Sequence, residues 1–298
     1  MMKLKLSLRS LAKLGLLLNL FFIPIFFLGC TNNKNIPQSK TGIDKIIVDT
    51  CKQKYNIDVT TRISGQTLWI YLPLEDIIEK AQKEEKFTER YSAEKIDTDF
   101  AEETIKIDYL IRDVPETEKT HQVSYTKDAK DKINRVWKVI HSAIFDIKHS
   151  FNEGMQFFCF VIADIKNGFE VKQVAYVPDL KKISYGIILG NEFQHRTVTE
   201  DLNISFDITG DKTGKHLEYH DITLNEFLSG QIKQRIKQKF QRPEVDRNID
   251  IDQEIIKTTI YVLKVYDFKD FSEVEFNNLL TNKNSTLGKT LIWKDLVR

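Results

Sequence analysis

Excess charge, cysteine, proline and glycine are all scarce in this chain, and each shortage removes a class of function. The 298 residues carry 44 Lys and Arg against 43 Asp and Glu, a formal charge of +1. A protein that grips nucleic acid gathers a basic excess on one face or tail, and none is present. The single Lys/Arg-rich stretch, residues 231–242, reads as a solvated helix face with Ile232, Ile236 and Phe240 turned inward. Three cysteines are too few for a disulfide-built scaffold. Six prolines and twelve glycines exclude collagen-like and low-complexity architectures. Catalytic signatures are missing too. There is no Gly-x-Ser-x-Gly elbow, phosphate-binding Gly loop, dinucleotide fingerprint, His-Glu-x-x-His, Cys-x-x-Cys or EF-hand loop. No cofactor is implied, and the pattern favours a binding protein over an enzyme.

What is abundant is apolar sequence close to the N-terminus. Lys3, Lys5, Arg9 and Lys13 precede the run LLLNLFFIPIFFLGC, which ends at Cys30, and no acidic residue occurs before Asp44. A positive start, a short apolar core and a small residue before the break are the grammar of a secretory signal. Phe27-Leu28-Gly29-Cys30 resembles the lipobox of a bacterial lipoprotein signal, although Phe27 stands where Leu is more usual. The resemblance implies cleavage before Cys30, a thioether-linked diacylglycerol on its sulfur and an acylated amine, such as a palmitoyl amide. Thr31 follows the cysteine. An Asp there commonly marks inner-membrane retention in diderm bacteria, so the resemblance implies the outer membrane, facing the periplasm, if the organism is diderm.

The competing reading is an uncleaved helix over residues 14–30. Its 17 residues sit at the bottom of the spanning range of roughly 17–25. Asn19 and Pro24 interrupt it, and proline removes a helix hydrogen bond. No second segment of spanning length follows. The expected organisation is therefore a signal peptide at 1–29, a lipidated polar tether at 30–42, an α+β region at 43–122 and a second at 123–298.

Without the signal, 40 Lys and Arg face 43 Asp and Glu, a charge near −3 spread over 269 residues. That length can bury one large core or two smaller ones. Cys51 falls on a helical pattern and Cys159 in an apolar strand, where buried thiols are common. A single disulfide between them is the alternative.

Periodicity predicts an α+β fold, with antiparallel sheets backed by helices. Residues 43–55 read as a helix, and 57–63 and 67–72 as a hairpin around Ser64-Gly65. Pro73 ends the second strand, and an acidic helix start follows at Glu75. A related order recurs. Residues 130–150 give the longest helical pattern, 157–163 a buried strand, Asn167-Gly168 a hairpin turn and 169–177 the return strand. Another acidic helix start follows at Asp179. A third, degenerate copy is expected in a helix at 224–240, strands within 255–268 and a helix after Asp270. Residues 80–103, dense in charge, read as exposed helix and loop. Residues 104–111 read as a strand, 113–122 as the region boundary and 290–294 as a closing strand.

The strongest chemical candidate is Lys215-His216-Leu217-Glu218-Tyr219-His220-Asp221. His216 and His220 share a side in helix or strand, as two metal ligands would, but a third ligand is missing. Loop histidines without a metal are the plainer expectation. His141 and His149 fall near one face of the long helix and read as packing residues. Glu192 with His195, and Asp201 with Asp207, could pair only through folding. Asp250 and Asp252 mark a solvated turn, with a cation loop as the alternative. Trp69, Trp137 and Trp293 lie in apolar segments and read as core.

The leading expectation is a lipid-anchored, non-catalytic envelope lipoprotein, held in the membrane through Cys30, that binds an envelope protein as a binding or assembly module. One alternative is a small-molecule or lipid carrier walled by residues 156–163 and 185–189. The other is an envelope hydrolase centred on His216 and His220.

Overall fold

The computed structural model describes residues 42–146, 154–242 and 245–294, with backbone alone at 81–87, 117–123 and 145–146. The expected signal, the expected lipobox with Cys30, the expected tether up to residue 41 and His149 lie outside them. The chain forms two compact units. Unit 1 combines the residues up to Gln82 with Val123–Ile222, and unit 2 combines Lys83–Gln122 with Thr223 onward. This replaces the division expected at residue 122. The segment 113–122 is strand rather than linker, and the chain returns to unit 1 after it.

Unit 1 begins with α1 (Ile43–Tyr55), whose buried side chains Ile43, Ile47 and Cys51 recur every four residues. The strands β1 (Thr60–Ser64) and β2 (Thr67–Leu74) form the expected hairpin. Gly65 in its turn has φ 55°, and a Cβ there would sit 2.2 Å from an Asp221 carboxylate oxygen, so only glycine fits. The long helix α2 (Lys127–Asp146) leads into β5 (Phe157–Asp164) and β6 (Phe169–Tyr176). In the turn between them, both oxygens of the buried Asp164 accept hydrogen bonds from Asn167. Next come α3 (Val177–Ser184), α4 (Gly190–Arg196), and the short strands β7 (Val198–Thr199) and β8 (Asn203–Ile204).

The sheet order is β1-β2-β5-β6-β7, with β8 also on β6. The inner strands β2 and β5 run parallel, while the β1/β2 and β5/β6 pairs are antiparallel. Leu68, Ile70, Leu72, Phe158, Phe160, Ile162 and Val171 face the helices in one apolar cluster. Trp137 of α2 meets Phe160 edge-on at 5.5 Å.

Unit 2 repeats this plan. The hairpin β3 (Ile78–Ala101) and β4 (Thr104–Tyr125) precedes two helices, α5 (Leu224–Phe240) and α6 (Ile251–Val265). A second hairpin, β9 (Glu273–Asn278) and β10 (Lys283–Gly288), is followed by α7 (Lys289–Lys294). The order β10-β9-β4-β3 again has its inner pair, β4 and β9, parallel. Ile105, Ile107, Val274 and Phe276 pack with Ile232, Ile236, Ile255 and Val262 of the helices.

The fold class is α+β with sheets backed by helices, and the sheets are mixed rather than purely antiparallel. The two expected copies at 43–74 and 130–177 lie side by side in unit 1, joined by the β2/β5 pairing. Other expectations fail. Residues 78–101 are strand rather than helix and loop, which also removes the helix start at Glu75. Residues 251–265 are helix rather than strand, residues 273–278 are strand rather than helix, and 289–294 are helix rather than strand. The third copy therefore does not exist in the form expected. What recurs in each unit is a pair of hairpins with helix between them and a helix after the second.

Candidate functional site

The second face of the unit 1 sheet is covered by the irregular segment between β8 and α5, and a buried ionisable cluster lies there. Alternation along the strands turns Thr67, Trp69, Tyr71, Cys159, Val161 and Glu170 away from the helices. Polar groups on this face need partners, and the covering segment supplies them. Asp221 Oδ1 accepts hydrogen bonds from the Gln66 backbone N–H at 2.8 Å and the Thr67 hydroxyl at 3.1 Å. The Trp69 indole N–H donates to the His220 carbonyl at 2.9 Å. The Tyr71 hydroxyl donates to the Asp211 carbonyl at 2.7 Å. Tyr219 stands edge-on to Trp69 at 5.5 Å, under the Arg62 guanidinium at 4.8 Å. Gly214, at φ 71°, lets the Tyr219 hydroxyl donate to its carbonyl at 2.8 Å.

His216 is the centre of the cluster. Its Nδ1 lies 2.7 Å from Asp211 Oδ2 and its Nε2 lies 2.8 Å from Glu170 Oε2. The side chains are 9 %, 11 % and 8 % exposed respectively. Asp211 Oδ1 also accepts from the Thr213 and Gly214 backbone N–H groups at 2.8 and 3.0 Å, and Glu170 Oε1 accepts from Asn203 at 3.0 Å. A ring with a carboxylate on each nitrogen is held as the doubly protonated cation. Desolvation alone would lower the His216 pKa, but hydrogen bonds and charge from Glu170 and Asp211 outweigh it and raise the value above 6.5. Desolvation likewise opposes ionisation of Asp211, yet the His216 and backbone hydrogen bonds hold it well below 3.8. Burial, then the charges of Asp211 and Glu170, push the Tyr71 phenol up.

This arrangement decides what His216 can do. With both ring nitrogens donating, it offers no lone pair to a metal or to a substrate proton. It works instead as a cationic clasp that ties the covering segment, through Asp211, to β6, through Glu170. An open concavity beside it is lined by Asp207, Thr209, Gly210, Lys212 and Lys215. His220 is exposed, its ring beside Trp69 at 5.5 Å, so the structure does not join it to His216 as a ligand pair. Among the described residues, no group of three or more His, Cys, Asp or Glu side chains could hold a metal ion.

The other candidates fall into place. Cys51 and Cys159 are both buried, on α1 and β5, and are not joined in a disulfide; burial pushes the Cys51 thiol up to about 12. His141 packs against Trp137 and Phe193, and burial depresses its pKa to about 4. Glu192 pairs with Arg196 at 2.7 Å, one turn on. Asp201 and Asp207 are both exposed. Asp250 caps α6 by accepting from Gln253 N–H at 3.1 Å. Asp252 accepts from Tyr109 and Asn278 and pairs with Lys283, so its oxygens are taken by the protein. Trp69 and Trp137 are core, and Trp293 is half-buried against the unit 2 cluster. The two expected carrier walls differ in burial. Residues 157–163 form the sheet centre, and Tyr185, Ile187 and Leu189 lie on the surface.

Sequence reading missed the clasp because Glu170 lies 46 residues from His216 and only the fold brings it near. Asp211, five residues from His216, was the one local signal. No family model, curated protein or solved structure matches the chain. The functional reading therefore rests on the residues themselves.

Proposed function

We propose that this chain is a lipid-anchored, non-catalytic lipoprotein of the bacterial envelope, whose α+β units serve as a binding or assembly module. The observation that carries the reading is the N-terminal sequence: four cations, an apolar run and Phe27-Leu28-Gly29-Cys30, then polar residues leading to the fold. Processing would cleave the Gly29–Cys30 peptide bond and place diacylglycerol on the Cys30 sulfur. Each buried acyl CH₂ then contributes about 0.8 kcal/mol of membrane affinity. The non-catalytic part of the reading is supported by the clasp, whose imidazole is fully engaged by Asp211 and Glu170. Strands at sheet margins, β1 in unit 1 and β10 in unit 2, suit recognition by strand addition.

Crosslinked pull-down from detergent-solubilised envelope, comparing the native chain with Cys30→Ser, tests the proposal. A specific envelope complex that is lost in the unlipidated form is the expected result. Turnover of a substrate by the purified protein, abolished by one side-chain change, would contradict it.

A further inference from the structure

We propose that the loop between α3 and α4, residues 185–189, is a docking element that lies in the interface of the bilayer carrying the Cys30 lipid. This rests on the lipid-anchored reading and names the surface that the anchored protein turns to the membrane. Tyr185, Ile187 and Leu189 are 66 %, 69 % and 69 % exposed, three large apolar side chains within five residues. Single exposed apolar residues are ordinary, whereas a run of them marks an interaction site.

The loop is built, not frayed. Ile183 and Ile188 pack against the unit 1 core beneath it. The Ile187 N–H donates to the Lys182 carbonyl at 2.8 Å, and the Gly186 N–H to the Ile183 carbonyl at 3.0 Å. Gly186 takes a φ of 68°, which presents Tyr185 and Ile187 outward on either side of it.

Charge and reach select the bilayer as the occupant. Lys181 and Lys182 close α3, with the Lys182 ammonium 3.1 Å from Asp179 and Lys181 beside it, and no carboxylate occurs between Asp179 and Glu192. An apolar tip beside lysines matches a surface with an apolar interior and anionic headgroups. Twelve residue steps lead from Cys30 to Gly42, and at about 3.3–3.6 Å each they span up to roughly 40 Å. A unit of this size has a radius of gyration of about 14 Å, so the tether allows this face to reach the membrane. The anchor also holds the loop at an effective concentration on the order of millimolar, enough to make a weak insertion persistent.

The test uses the lipidated full chain in phospholipid vesicles containing anionic lipid, with an environment-sensitive fluorophore on Ile187→Cys. Cys51 and Cys159 are buried and Cys30 is blocked by its lipid, so the label has one site. Emission should move to shorter wavelength on reconstitution and be quenched by a lipid-chain quencher, while the same label on Lys52→Cys should stay water-like. A label on Tyr185→Cys should lose the shift when Ile187→Asp and Leu189→Asp are added, with the far-ultraviolet dichroism unchanged. Water-like emission at residue 187 in protein whose mass shows the Cys30 lipid overturns the docking proposal alone. A mass without that lipid overturns the anchor and the docking together.

Discussion

The two units share one strand order, a pair of hairpins joined by parallel inner strands, yet they treat the second face of the sheet in opposite ways. In unit 1 all eight residues of β5 are buried, because helices cover one face and the segment with Asp211, His216 and Tyr219 covers the other. In unit 2 burial alternates along β9, with Val274, Phe276 and Asn278 inward and Glu273, Glu275 and Asn277 only half-buried. The same topology thus gives a three-layer and a two-layer arrangement. The three-layer unit is the one that needs a polar cluster to fasten its extra layer.

The sharpest way to break the comparison is to place a charge on the covered second face of the unit 1 sheet. Val161→Asp in β5, fully buried, should cost unit 1 more than about 4 kcal/mol, the range of an unpaired buried charge. Hydrogen exchange followed unit by unit would read the loss. His216→Ala should follow at roughly 3 kcal/mol, since it leaves Glu170 and Asp211 facing each other without the cation. The low end of that range is expected because the concavity beside Asp211 opens to water. Release of residues 205–222, seen as faster exchange there than in α2, should accompany it.

The pH dependence sharpens the same contrast. The raised His216 pKa gives stability that is fully present below about 6.5 and lost as pH rises through the folded value. Asp211, held low, contributes above 3.8 and loses its contribution as pH falls through its folded value. His141 acts in the opposite sense to His216. Its ring, neutral when folded down to about 4, lowers stability as pH falls from 6.5. Subtracting the His216→Gln profile from that of the native chain removes the His141 contribution. The difference should shrink with rising pH in unit 1, while exchange in unit 2 stays unchanged between the two proteins. A difference that grows with pH would refute the clasp.

Smaller effects are expected in unit 2. Asp250→Ala should cost about 1 kcal/mol through loss of the α6 cap, measured as a shift in the denaturant midpoint. Lys106→Ala, exposed on the open face of β4, should change stability by no more than about 0.5 kcal/mol.

Legibility in the sequence followed the same divide. In unit 1, long apolar runs and the Asn167-Gly168 turn made β5 and β6 plain, and the spacing of Ile133, Val136, Trp137 and Ile140 gave α2. Unit 2 was harder, because its strands are half-solvated and rich in charge. Along β3 the inward positions change parity between Tyr91 and Ile96, with Glu94 and Lys95 both exposed, so no simple alternation survives. The β-branched residues of α6 favoured a strand, but Ile255, Thr259, Val262 and Leu263 are buried at helical spacing, and tertiary packing overrides propensity. Asp250 three residues before Gln253 was the local sign of a helix start. In the site, Asp211 was within local reach of His216, but Glu170 belongs to another element, and no spacing rule connects them.

The most direct test of the account is the intact mass of the protein purified from envelope membranes. The account predicts a chain beginning at Cys30 that carries a diacylglyceryl group on sulfur and an acyl group on its amine. A chain that retains residues 1–29, or begins at an unmodified Cys30, would contradict it.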